Sequence, residues 1–182
     1  MTSDNSISSA AKRLLPALAQ SNPISAGICR LYDDQKAAEK DLNLTRALQV
    51  IEHRIGVNKA QIVENEERLV ELTRLVLGIP IEKSELHATI CASLAAGGIL
   101  TDEVALANFF ISKLAKLDFL ELLALFGESG MLPEQSSIEQ RSHFMKNYPD
   151  HYESIVAELK SQHLLVGDGT SLPGALQNLL TE

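Results

Sequence analysis

Glu139, His143 and His151 are the residues whose types and spacing come nearest to chemistry in this chain. Glu139 and His143 lie four apart, on one face of any helix that holds them, and His151 follows after a short turn. A carboxylate and two imidazoles are metal-ligand types. A metal site needs three or four convergent ligands, however, and no HExxH or paired Cys/His spacing supplies them. The five histidines therefore read as exposed or structurally bonded side chains. Cys29 and Cys91 stand far apart and form no CxxC pair, so neither a zinc site nor a disulfide framework is indicated. Serines are plentiful, yet no GxSxG elbow accompanies them. No GxxxxGKS/T or GxGxxG loop is present, and Ala96-Gly97-Gly98, with no Lys following, reads as a helix stop.

A second pair, Arg46 and His53, has six residues between its members within a helical stretch. It resembles the RxxxxxxH ribonuclease motif of HEPN domains, but Ala47 replaces the polar residue that usually follows the Arg. No catalytic, cofactor-binding or metal-ligating residue is assigned, and the expectation is a non-enzymatic protein.

The stretch that must position everything else runs from Leu42 to Gly78. Leu44, Leu48, Ile51, Ile55, Ile62, Leu69, Leu72 and Val76 fall on one helical stripe, with Asn58 and Asn65 in the two remaining places. Two readings compete. In one, a single helix of about 37 residues extends roughly 55 Å and uses its two Asn as register-setting d positions of a coiled coil. In the other, Gly56 ends a helix in the left-handed conformation and Asn58, with Gln61 three residues on, opens the next through a capping box. Arg54 and Lys59 would repel across a parallel dimer, which favours the break. Gly56-Val57-Asn58 also resembles a helix-turn-helix turn, but bulky Glu52 sits four places before the glycine, where the helices would meet. A packed hairpin fits better. Gly78-Ile79-Pro80 ends the element.

Around this stripe the chain divides into a disordered tail at 1–7, a helical body at 8–116, and a segment at 117–182 packed on the body. In the body, short helices are predicted over Ser8 to Gln20 and from Ile24, where Ile28, Leu31 and Tyr32 share a face. Further helices run from Glu82 to Ala96, stopped by Gly97-Gly98, and from Thr101 with Asp102 and Glu103 in its first turn. The last segment reads as helix, loop, helix, helix, two-stranded wing, helix. Asp118 starts the first of these, with Phe119, Leu122, Leu123 and Phe126 as its buried stripe. Capping boxes at Ser136/Glu139 and Asp150/Glu153 start the next two. Gly167-Asp168-Gly169, between Leu164–Val166 and Thr170–Leu172, predicts a small β-hairpin. Pro173 to Leu180 closes the chain. The predicted fold is thus all-α: a multi-helix bundle built around a long helix or helical hairpin, with a degenerate winged-helix-like segment at its C-terminal end.

Composition narrows the partners. Hydrophobic residues make up 45% of the chain and aromatics 4%, which suits a Leu, Ile, Val and Ala core of packed helices. The net charge of -8 is uneven: residues 1–91 hold 11 Lys/Arg against 12 Asp/Glu, and residues 92–182 hold 5 against 12. Phosphate binding needs clustered cations, so the second half is a poor nucleic-acid surface. The would-be recognition helix, Asp150 to Gln162, carries Lys160 against three carboxylates, and the wing offers Asp168 and no cation. A winged-helix DNA-binding regulator is the less favoured reading. The longest nearly apolar run, Ala88 to Leu100, has 13 residues, fewer than the ~20 a membrane span needs. The N-terminus shows no basic-then-apolar signal pattern. The expected compartment is a reduced cytoplasm, and the expected partner is a protein, either basic or a second copy of the chain.

The order of several segments carries a resemblance. Leu14-Leu15-Pro16 precedes a glycine-containing apolar helix ending in Leu31-Tyr32. An Ala-rich helix around Cys91-Ala92-Ser93-Leu94-Ala95 leads to Phe109–Leu114 and then to Leu117–Leu123. Ala157–Leu165 resembles a terminal winged-helix segment. In this order the chain resembles bacterial helical proteins related to the abortive-infection alpha family of phage-defence proteins, with His163 where such segments usually place Gly. The resemblance implies a cytoplasmic, non-enzymatic role in defence against phage and carries over no catalytic residues. An immunity or antitoxin protein masking a basic toxin is the alternative that the acidic half suggests.

Overall fold

The computed structural model describes residues 37–132 and 135–181. The predicted tail at 1–7 and the helices expected over Ser8 to Gln20 and from Ile24 lie outside them. The described residues form nine α-helices and one 3₁₀ turn, with no strand. The all-α class therefore holds. The chain separates into two compact units: one takes residues up to Ala115 together with those from Leu179 onward, and the other is Lys116–Asn178.

In the first unit the stripe from Leu42 to Gly78 becomes three helices: α1 (Ala37–Ile55), α2 (Lys59–Glu64) and α3 (Glu66–Leu77). The continuous helix is ruled out. One break falls where the glycine places it, since Gly56 takes φ +37° and leads into a 3₁₀ turn over Gly56–Asn58. The expected cap does not form: Asn58 keeps a helical backbone and makes no side-chain capping bond. The working cap is the other asparagine. Asn65 turns extended, at φ -95° and ψ 104°. Its side-chain oxygen accepts the Glu67 and Arg68 amides at 3.1 and 3.2 Å, with Glu66 and Glu67 in the dipole-favoured first turn. Both polar interruptions of the stripe are breaks rather than register pins.

All eight apolar stripe residues are buried within the single chain, so the stripe is consumed as core. It packs around α4 (Glu85–Leu100), which also meets α3 and α5 (Val104–Leu114). The near-apolar run of α4 suits a helix enclosed on most sides. Its ends differ from expectation. It starts at Ser84, whose hydroxyl accepts the His87 amide at 3.2 Å and bonds His87 Nδ1 at 2.7 Å, so buried His87 is a structural histidine. Nor do Gly97 and Gly98 stop it. They lie inside the helix where neighbours come closest: a Cβ on Gly97 would sit 1.9 Å from the Leu179 carbonyl oxygen, and one on Gly98 would sit 2.4 Å from Ala107 Cβ. Thr101, expected to open α5, instead closes α4 through its hydroxyl bond to the Gly97 carbonyl at 2.8 Å.

The second unit holds α6 (Phe119–Glu128), α7 (Gln135–Asn147), α8 (Pro149–Ser161) and the start of α9 (Gly174–Thr181). Asp118 and Glu121 form a full capping box, with bonds of 2.8 and 2.6 Å. The two boxes expected further on are not the starts. Ser136 lies inside α7, which begins at Gln135. Asp150 lies in the first turn of α8, where Pro149 takes the first helical place and Tyr148 the cap position without a side-chain bond.

The predicted β-hairpin reduces to one antiparallel bridge, Val166 to Ser171, and the described residues contain no wing strands. The amides that a wing would use are committed elsewhere. Leu164 and Leu165 both donate to the Leu159 carbonyl, at 3.0 and 3.4 Å, closing α8. Asp168 takes the Thr170 amide and hydroxyl at 3.1 and 2.5 Å, and Pro173 has no amide hydrogen to extend a ladder.

The end of α8 is a Schellman turn. His163 donates to the Lys160 carbonyl, Leu164 to that of Leu159, and His163 takes φ +57°, a conformation that favours glycine. α6 ends in the same way with Gly130 in that place; at the end of α4, Asp102 takes φ +62° and the Glu103 amide donates to the Gly98 carbonyl at 2.8 Å. His163→Gly is expected to raise stability by about 1 kcal/mol, read as a higher urea midpoint. An unchanged or lowered midpoint would show that the imidazole contributes more than its backbone strain costs.

Candidate functional site

α7 is the most open helix of the second unit. Of its thirteen residues only Ser137 and Phe144 are buried. Ser136, Glu139, Gln140 and His143 recur at helical spacing and face a groove of about 750 Å³. Leu120 and Leu123 of α6 line the same groove, as do Phe144, Tyr148 and His151. The Phe144 ring sits 6.0 Å from Tyr148, 5.7 Å from His151 and 5.7 Å from Tyr152, so part of the groove lining is an aromatic cluster. Tyr148 is 60% exposed.

The structure brings Glu139, His143 and His151 to one groove, though their spacing placed only the first two on one helix face. It does not make them a metal centre: no group of three His, Cys, Asp or Glu among the described residues is arranged to hold an ion.

Beside the groove, Glu128, Arg141 and Tyr152 close a triangle. The Arg141 guanidinium donates to Glu128 Oε1 at 2.6 Å and to the Tyr152 hydroxyl at 2.8 Å, and that hydroxyl donates to Glu128 Oε1 at 2.7 Å. Arg141 also lies 5.6 Å from the centre of the Tyr152 ring. Burial pushes the Tyr152 phenol up to about 12, reinforced by its bond to Glu128. Burial opposes the Arg141 charge, but the bonds to Tyr152 and Glu128 outweigh it and hold that group above its ordinary value. A phenol held protonated and a guanidinium bonded to two partners serve as a structural clasp; neither is an activated acid or nucleophile.

Other residues singled out from the sequence are committed or separate. Arg46 pairs with Glu85 at 2.5 Å, while His53 is exposed in the last turn of α1. Cys91 is a free, buried thiol that burial pushes up to about 12, so it stays protonated and inert. Lys160, the one cation of the would-be recognition helix, lays its stem over the backbone of Gly169, where a Cβ would meet Lys160 Cε at 1.6 Å. Among the described residues no helix is long and apolar enough to cross a membrane.

No protein-family model, curated protein or solved structure matches the chain. Sequence reasoning did not find the groove or the clasp. Glu128, Arg141 and Tyr152 are too far apart in sequence to form a motif. One signal was present: three of the eight Phe and Tyr residues fall between Phe144 and Tyr152, a concentration unusual in a chain so poor in aromatics.

Proposed function

We propose that the protein is non-enzymatic and acts by binding another protein through the groove formed by α6, α7 and α8. The observation that carries this is the groove itself: Leu120, Leu123, Phe144 and a largely exposed Tyr148 line it, beside a helix that buries two of its thirteen residues. Tyr is well suited to such sites, having a large apolar face, a polar tip and few torsions to immobilise. The setting we propose is defence against phage. What supports it is the order of segments that resembles the abortive-infection alpha proteins.

Capture from the native host with wild-type chain and with Tyr148→Ala tests the docking role. A stoichiometric partner retained by the wild type and lost from the variant is expected. No partner, or equal retention by both, overturns it. Phage plating with and without the gene tests the setting, and unchanged plating across a broad panel overturns that part.

A further inference from the structure

We infer that the partner segment seated in this groove is a cationic amphipathic helix; the inference rests on the docking reading above. The second unit holds nine Asp and Glu against four Lys and Arg. One of those cations, Arg141, is engaged by Glu128 and Tyr152. None of the four lines the groove, whose single formal charge is the exposed carboxylate of Glu139. A lining that combines apolar Leu120 and Leu123, the Glu139 carboxylate and the rings of Phe144 and Tyr148 attracts Lys and Arg by Coulomb and cation–π terms together.

The fold also selects the shape of the occupant. The described residues offer no strand edge to extend, so strand addition has no template. Walls made by helices instead suit a helix anchored at i, i+3 or i+4, and i+7. A groove of about 750 Å³ has room for the anchor side chains of such a helix; its cationic face would remain at the rim beside Glu139.

The test uses the full chain and two synthetic helix-forming peptides, read by fluorescence anisotropy. Both carry leucines at i, i+3, i+4 and i+7; one flanks them with lysines, the other with glutamates. The lysine peptide is expected to bind at least roughly tenfold more tightly at low salt, with the preference shrinking as salt is added. Glu139→Lys should narrow or invert the preference, and Tyr148→Ala should weaken binding of the lysine peptide. Both residues are exposed, and circular dichroism verifies that the variants keep their helices. Equal binding of both peptides at the groove overturns the cationic partner and leaves the docking reading standing. Failure of the lysine peptide to bind overturns this inference, while the capture experiment judges the docking reading independently.

Discussion

Gly97→Ala is expected to destabilise the first unit by roughly 3 kcal/mol, at the upper end of what overpacking a core costs. The new methyl would lie 1.9 Å from the Leu179 carbonyl oxygen and 2.8 Å from its carbon. Those are backbone atoms, so relief requires moving a helix rather than rotating a side chain. The same carbonyl accepts Arg54 Nη1 at 2.9 Å, and Nη1 also holds the Ser93 carbonyl at 2.5 Å and the Ser93 hydroxyl at 2.9 Å. Any shift of Leu179 loosens that set. Arg54 has little to spare: burial already lowers the affinity of its guanidinium for its proton, and its buried Nη2 has no partner among the described residues. Urea unfolding followed by helical circular dichroism measures the loss. Gly174→Ala is the control, since nothing lies within 4 Å of a Cβ there and alanine is the better helix former. If Gly97→Ala unfolds no earlier than Gly174→Ala, the close approach of α4 to Leu179 is refuted.

Arg141→Ala carries the second large effect, about 3 kcal/mol from the second unit. Its side chain and that of Glu128 are 23% and 18% exposed, so the pair is largely desolvated. Removing the cation leaves a carboxylate held by Tyr152 alone. Arg141→Lys should recover only part, because one ammonium cannot reproduce the forked contact to both partners. Gly127 belongs to the same unit of packing, as a Cβ there would sit 2.1 Å from Arg141 Cδ. Gly127→Ala should therefore destabilise on its own and cost less once Arg141 is already alanine. Additive losses would show that the two do not share a contact.

The clasp also sets an alkaline limit. Tyr152 keeps its proton more tightly folded, at about 12 against an ordinary 10.0, so between those values the native state binds more protons than the unfolded one. The stabilisation is whole below pH 10 and is lost as pH rises through about 12. Tyr152→Phe should be less stable at neutral pH and show a shallower decline across that window. A decline as steep as that of the wild type would remove Tyr152 from the account.

Local and periodic features were legible in the sequence. The eight stripe residues from Leu44 to Val76 proved to be core because helical periodicity states which face must leave water, whatever covers it. The break at Gly56, the stop at Gly78 and the start of α6 at Asp118 follow from backbone freedom and short-range capping, which neighbouring residues settle among themselves. Where a local signal had two uses, tertiary structure decided between them. Gly97 and Gly98 read as a stop because glycine favours helix ends, but the packing of Leu179 and Ala107 requires bare backbone inside α4. Asn58 and Asn65 were equivalent in the pattern; only Asn65 turns extended and caps. The Gly-Asp-Gly turn formed, while its strands did not, because Leu159 and Asp168 took the amides they needed. The groove and the Glu128–Arg141–Tyr152 clasp were beyond sequence reasoning for the same reason. Each joins residues from separate helices, and no spacing along one chain encodes the angle at which those helices meet.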